Sequence, residues 1–276
     1  MVLSHIQARA LLAARAAGAT SSEATPDLGL TRTQVGLDEV GVAWGGAFTS
    51  WETLERIVRD ENGVFVVEDG GVRKVQAYSD LTDRAVSLYP TAGAPTMLVA
   101  GFPMHRIKDT DPWRDTQAKI KASAPTGRVL DTCTGLGYTA ILAAEMAEHV
   151  TTVELDPACQ EVARANPWSA RLFDHPRITQ LIGDIGELIA TLPEAGFNRI
   201  IHDPPTFSLA GELYSGEFYR ACWRVLRPGG RLFHYIGDPE SRSGAQVTRG
   251  VVRRLQEAGF ARVQPAPAAF GVTASR

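Results

Sequence analysis

The most constraining feature of this sequence is the run Val129-Leu-Asp-Thr-Cys-Thr-Gly-Leu-Gly-Tyr138. An apolar stretch enters a glycine turn and continues directly into a helical pattern. Gly135 and Gly137 let the backbone turn sharply and come close to a ligand without Cβ interference. The amides at the start of the following helix then face that ligand. A glycine loop alone fits many nucleotide enzymes, so its context matters more than its glycines. The Lys-Ser/Thr pair of a phosphate loop is missing.

From about Asp111 onward, strands alternate with helices, which predicts a parallel sheet with crossover helices. Expected strands are 128–131, 149–154, 178–182, 197–202 and 230–236, with 261–264 and 270–274 last. Expected helices are 139–147, 157–166, 185–191, 215–226 and 244–258, the last stopped by Gly259. Before residue 100 the pattern differs. An alanine-rich amphipathic helix over 1–18 precedes short strands and turns. Gly63–Glu68 reads as a strand, Asp69-Gly-Gly71 as a hairpin turn and 72–78 as the returning strand. Strands are also expected at 84–89 and 96–101, and a short helix with Ser50 as N-cap at 51–57. The organisation expected is a small α+β N-terminal domain over 1–100 and an α/β domain over 101–276.

With 276 residues, a full core is possible without staples. A net charge of −3 argues against a dedicated nucleic-acid-coating surface. Three scattered cysteines, 133, 159 and 222, without Cys-x-x-Cys spacing, predict neither disulfides nor a metal site and suit a reducing cytoplasm. Arg9 and Arg15 interrupt the first helix, so it reads as a packing element rather than a signal peptide. No apolar run approaches the roughly 20 residues of a membrane span.

Three further elements accompany the loop. Val150-Thr-Thr-Val-Glu154 is a strand ending in an acid, about 20 residues after the loop, where a carboxylate accepts from ribose hydroxyls. Leu181-Ile-Gly-Asp184 ends another strand, where Asp184 is either an adenine acceptor, with Ile185 beside the ring, or a helix N-cap. Ile200-Ile-His-Asp-Pro-Pro-Thr-Phe207 follows the fourth strand and falls on the ligand side of such a sheet. Its prolines fix the backbone and remove two donors. Asp203 and the preceding carbonyls can then accept from a substrate amine.

In this order the elements resemble a class I S-adenosylmethionine-dependent methyltransferase from about Met104 onward. The resemblance implies a Rossmann-like sheet of seven mostly parallel strands, the last antiparallel, and S-adenosyl-L-methionine as cofactor. It implies that Asp131, Thr132, Cys133, Thr134, Gly135, Gly137, Tyr138 and Thr139 hold the methionine moiety, with Glu154 and Leu155 at the ribose and Asp184 and Ile185 at the adenine. More narrowly, Met104-His-Arg-Ile-Lys108, Asp131 to Ala140 and His202 to Ser215 resemble a largely archaeal group of uncharacterised methyltransferases, which brings no substrate. A dinucleotide dehydrogenase fits the spacing of Gly135 to Ala140, but Asp131 and the Pro-Pro element belong to the methyltransferase pattern.

Asp203-Pro-Pro-Thr-Phe207 resembles the Asp/Asn-Pro-Pro-aromatic motif of nitrogen methylators, with Thr206 inserted before the ring. Carbon methylators of the nucleophilic kind need a cysteine, and none follows closely. The expected reaction is methylation of a nitrogen, with Asp203, Pro204, Pro205 and His202 at the reaction centre. His105, Arg106, Lys108, Phe207 and Tyr214 are candidate acceptor contacts. Small molecule, RNA and protein acceptors stay open, as does a dimer; no membrane partner is expected. The alternatives are methylation of RNA bases, aminopropyl transfer from decarboxylated S-adenosylmethionine, and non-catalytic cofactor binding. Aminopropyl transfer calls for an acidic polyamine channel, and no acidic run follows Glu154 or Asp203.

Overall fold

The computed structural model describes residues 1–68, 71–207, 209–237 and 242–276. It divides into two compact units, one of residues 1–113 with 158–170, the other of 114–157 with 171–276. Among the described residues, no helix is long and apolar enough to cross a membrane.

Among the described residues the first unit contains three small antiparallel sheets, the packed helices His5–Ala16 and Trp51–Val58, and most of the helix Pro157–Arg164. Val2–Ser4 pairs with Val64–Glu68, which pairs with Gly71–Lys74. Pairing of the first residues with Val64–Val66 delays the expected N-terminal helix until His5. Ser4 caps it, its hydroxyl accepting from Ile6 N–H while its own N–H donates to Gln7 Oε1. Leu3, Leu11, Trp51, Leu54 and Ile57 form the core between sheet and helices. The expected returning strand over 72–78 is split. Gly71–Lys74 continues the hairpin, and Gln76–Ser79 joins a different sheet with Arg84–Tyr89, Thr96–Val99 and Phe102–Pro103. Val75 makes the transfer, since its N–H donates to Val64 O at 2.8 Å and its carbonyl accepts from Leu88 N–H at 3.0 Å. Asp69 and Gly70 of the expected hairpin turn lie outside the described residues.

The second unit is built on a seven-stranded sheet: β1 Arg128–Asp131, β2 His149–Glu154, β3 Ile178–Ile182, β4 Phe197–His202, β5 Leu226–Tyr235, β6 Ala261–Ala266 and β7 Gly271–Ser275. The order is β3-β2-β1-β4-β5-β7-β6, with β7 antiparallel to both neighbours. The helices that matter for the site are α1 Pro112–Ser123, α2 Tyr138–Ala144, α3 Ile185–Thr191, α4 Gly216–Val225 and α5 Arg242–Glu257. Three of them start where the sequence supplies a signal: Gly137 at φ +75° opens α2, Asp184 caps α3 and Ser215 caps α4. Gly259 at φ +100° ends the turn after α5. Buried aliphatic and aromatic residues fill the sheet, among them Leu130, Val153, Ile200 and Phe233. β1 pairs with β2 on one side and β4 on the other, so strand order reverses there. That switch point opens a crevice at the carboxyl ends of β1 and β4.

Candidate active site

Every strand end that borders the crevice carries a chemistry-bearing residue: Asp131 on β1, Glu154 on β2, His202 and then Asp203 on β4, Tyr235 on β5. The loop after β1 is stitched to its neighbours. Thr132 N–H donates to Ile201 O at 3.0 Å and Thr134 N–H to Val153 O at 2.9 Å. Gly137 takes φ +75°, and a Cβ there would lie 2.6 Å from Leu172 Cδ2. Gly135, at φ +52°, has nothing within 4 Å of its Cβ position, so this glycine faces open space. Thr132, Thr134, Tyr138 and Thr139 are buried supports of the loop. Burial pushes the Cys133 thiol well above its ordinary range, which makes it an inert packing group.

Asp131 is fully buried. Its Oδ2 accepts from Thr139 Oγ1 at 3.0 Å and Thr152 Oγ1 at 2.8 Å, whereas Oδ1 is buried with no hydrogen-bond partner. Burial pushes this carboxyl up to about 8 despite the two hydroxyl donors, and the nearby acids Asp203 and Glu154 push the same way. An orphaned carboxylate oxygen of this kind is complementary to an ammonium group. Glu154 clasps the loop, with Oε2 accepting from Gly135 N–H at 2.8 Å and Oε1 from Asp156 N–H at 3.0 Å. Burial raises it to about 7, against the backbone donors that favour its charged form. Each oxygen retains a lone pair for a hydroxyl. Leu155 is 44% exposed, and Ile182, register partner of Glu154, is 47% exposed, so apolar surface lies open at these strand ends. Asp184 accepts from Gly186 N–H at 2.7 Å as the cap of α3. Ile185 packs into the core.

At the start of the Pro-Pro element Asp203 Oδ2 accepts from Lys119 Nζ at 2.6 Å. Lys119 also pairs with Asp115 at 3.1 Å and lies 4.2 Å from the centroid of the Tyr235 ring. Lys119 and Asp115 have no side-chain exposure, while Asp203 retains 14% and is the member that reaches open space. Burial pulls the lysine down, but Asp203 and Asp115 more than offset it, and its ammonium form is held above the ordinary range. Burial raises Asp203, and Lys119 opposes that rise. Sequence reasoning missed Asp115 and Lys119. They lie on the buried face of α1 with Thr116, Ile120 and Ser123, a stripe mostly polar where burial is ordinarily apolar. A polar helix face reads as solvated, so spacing alone gives no sign of its burial.

The expected reaction-centre histidine is a scaffold residue. His202 is fully buried, its Nδ1 meeting Thr132 Oγ1 at 2.7 Å and its Nε2 Leu213 O at 3.0 Å. Burial lowers it to about 3, so it stays neutral. His234 packs against it, ring centroids 4.4 Å apart, and bonds Tyr219. Pro204 is buried, and the Pro205 carbonyl accepts from Tyr214 Oη at 3.0 Å, so the tyrosine braces the Pro-Pro element. Phe207 is 53% exposed and meets the Tyr214 ring edge-on at 5.4 Å. Ser208, within the motif after it, lies outside the described residues. His105, Arg106 and Lys108 belong to the first unit, where His105 Nδ1 bonds Thr96 Oγ1 at 3.0 Å.

No family model matches the chain. It is 42% identical over 228 residues to an uncharacterised protein of Methanocaldococcus jannaschii, covering 82% of this chain and 77% of that one. The chain belongs to the family of that archaeal protein. It is also 32% identical over 161 residues to a polyamine aminopropyltransferase of Mycobacterium tuberculosis, covering 55% of this chain but only 30% of the relative. The chain thus spans about a third of that enzyme's length. Among solved structures, spermidine synthase from Thermotoga maritima superposes with a TM-score of 0.57 at 19% identity, over 72% of this chain and 70% of that one. The fold is therefore of the spermidine-synthase type, a class I sheet of seven strands. These relationships correct the expectation of a methyltransferase. The sequence relative with an assigned activity is named a polyamine aminopropyltransferase, not a methyltransferase.

Proposed function

We propose that the chain transfers an aminopropyl unit from decarboxylated S-adenosylmethionine to the nitrogen of an amine acceptor. One observation carries this reading: the site is over-supplied with acid. Asp115, Asp131, Glu154 and Asp203 interact electrostatically in a chain from Asp115 to Glu154, and one lysine, Lys119, compensates them. The acidic channel has no sign in the sequence because the fold assembles it from α1, β1, β2 and the end of β4. Such a site favours a donor with a sulfonium and an ammonium, plus a second amine. A donor that kept its carboxylate would bring a further negative charge among these acids.

The residues suit that donor. The unpartnered Oδ1 of Asp131 is complementary to the propyl ammonium, and the open face of Gly135 admits close approach. Glu154 has acceptor capacity for ribose hydroxyls, while Leu155, Ile182 and the α3 cap at Asp184 offer apolar and polar edges for a base. The donor supplies an activated carbon bonded to sulfur, and the thioether leaves as that bond breaks. The chain's residues position the acceptor and handle its proton. Asp203 holds the incoming amine by its exposed side, orients the lone pair and takes the proton that the nitrogen sheds when the new carbon–nitrogen bond forms. Lys119 opposes the rise that burial imposes on Asp203 and so favours its ionised form. Orientation of two bound reactants is worth up to about 7–11 kcal/mol, so little more is asked of the protein.

The test uses purified protein with donors labelled in the propyl chain or the methyl group. Propyl label entering an amine, with release of methylthioadenosine, is expected, and Asp203→Asn should lower kcat by about 100-fold or more. Transfer of methyl label instead, or tight donor binding with no transfer to any amine, refutes the reading.

A further inference from the structure

We infer that the acceptor is a monoamine that carries an acidic group, with Lys119 standing where a diamine would place its second ammonium and an arginine groove beside Phe207 receiving the acid. The inference rests on the proposed transfer to an amine and specifies the acceptor class.

The first observation is the occupancy of the acid pair. Asp115 and Asp203 flank Lys119 Nζ at 3.1 and 2.6 Å, and the Tyr235 ring faces it at 4.2 Å. Two carboxylates and an aromatic face form a cradle for an alkylammonium. In this chain the cradle is filled by a covalently tethered one. With both carboxyls ionised, Asp115, Lys119 and Asp203 would carry one net negative charge, which one acceptor ammonium neutralises. A second substrate ammonium would meet the lysine as a like charge in a buried setting.

The second observation starts at Phe207, two residues after the Pro-Pro element. A groove of about 590 Å³ is lined by Phe207, Gln246, Val247 and Gly250, together with Arg249, Arg253 and Arg254 of α5; among the described residues no carboxylate lines it. Arg254 is anchored, with Nε donating to Tyr214 O at 2.7 Å, and Tyr214 in turn braces Pro205. Its guanidinium lies over Gly250, where a Cβ would come within 3.1 Å of Nη1. A mid-helix glycine is unfavourable in itself, and here it provides room for the arginine. Arg249 and Arg253 are one turn apart, a like-charge pair that weakens a helix. The helix dipole accounts for cations only in the last turn. A polycation tail meets like charge at Arg249 and Arg254, whereas a carboxylate or phosphate meets a counter-charge there and can share Arg253 with Glu257, which pairs with it at 3.6 Å.

Calorimetry on the protein saturated with methylthioadenosine tests the inference, with four acceptors matched in chain length: an alkylamine, a terminal diamine, an ω-amino carboxylate and an ω-aminoalkyl phosphate. The acidic amines should bind at least about tenfold tighter than the diamine, and the carboxylate and phosphate arms tell which acid is preferred. Arg249→Glu with Arg253→Glu, both on the exposed face, should abolish that preference and leave the alkylamine unchanged. Lys119→Met should move the preference toward the diamine. Tighter binding of the diamine to the unaltered protein, a ranking unmoved by the arginine reversal, or no binding by any acceptor overturns the inference. Failure of the proposed reaction reads separately: the affinity ranking holds, yet no propyl label is transferred.

Discussion

Lys119 Nζ lies 2.6 Å from Asp203 Oδ2, joining two residues 84 positions apart in the chain. In this contact Lys119 opposes the upward push of burial on Asp203, the residue proposed to take the acceptor's proton. The acceptor's proton needs an ionised Asp203, so removing the lysine should make the carboxylate harder to ionise. For Lys119→Met the acid limb of the kcat/KM profile is expected to move to higher pH. Loss of one partner of a buried pair also costs about 3–5 kcal/mol of stability. A denaturant titration beside the pH profile separates the two effects; an unmoved acid limb in a folded variant would refute the role given to Lys119.

Asp131 gives a second pH dependence. Its folded value of about 8 and that of Glu154, about 7, lie above the ordinary carboxylate range. Between that range and about pH 8 the folded chain binds more protons than the unfolded one, so stability falls as pH rises through this window. Asp131→Asn is expected to flatten the slope and to be the more stable protein at pH 8. An ammonium on Oδ1 favours the ionised form, so donor binding near pH 7 should release a proton. Calorimetry in buffers of different ionisation enthalpy measures that release, which the asparagine variant should lack.

The β1 loop, the Glu154 strand and the Pro-Pro element were legible because each joins a backbone requirement to a local signal, an apolar strand followed by glycine, acid or proline. The ion pair on α1 was not, because Asp115, Lys119 and Ser123 follow the spacing of a solvated face and only the tertiary fold buries them. His202 shows the converse. It stands beside Asp203 in the sequence, but alternation along β4 turns it inward onto Thr132 and Leu213 O. The split at Val75 was equally hidden, since two short strands in different sheets read as one run when no residue between them breaks the pattern.

Tyr214 supports the Pro205 carbonyl and takes an edge contact from Phe207. Tyr214→Phe keeps the ring and removes the hydroxyl. The loss expected is that of one hydrogen bond, about 0.5–1.5 kcal/mol. It should appear as a lower kcat with donor affinity unchanged, since the Pro-Pro element positions the acceptor. A change confined to donor affinity would place Tyr214 in a different part of the mechanism.

The two loop glycines should separate folding from binding. Both have positive φ, so alanine is strained at either position. At Gly137 the added Cβ would also meet Leu172 at 2.6 Å, inside the unit's own packing. Overpacking of this kind costs about 1–3 kcal/mol beyond the backbone strain, so Gly137→Ala should lower Tm markedly. At Gly135 the Cβ meets no protein atom and projects into the space assigned to the donor. Gly135→Ala should therefore lower Tm less but weaken donor binding more than its stability loss accounts for. Thermal melts with and without methylthioadenosine read both quantities at once: the ligand-induced rise in Tm should shrink for the Gly135 variant. If that rise is kept while Gly137→Ala loses it, the donor does not lie against Gly135.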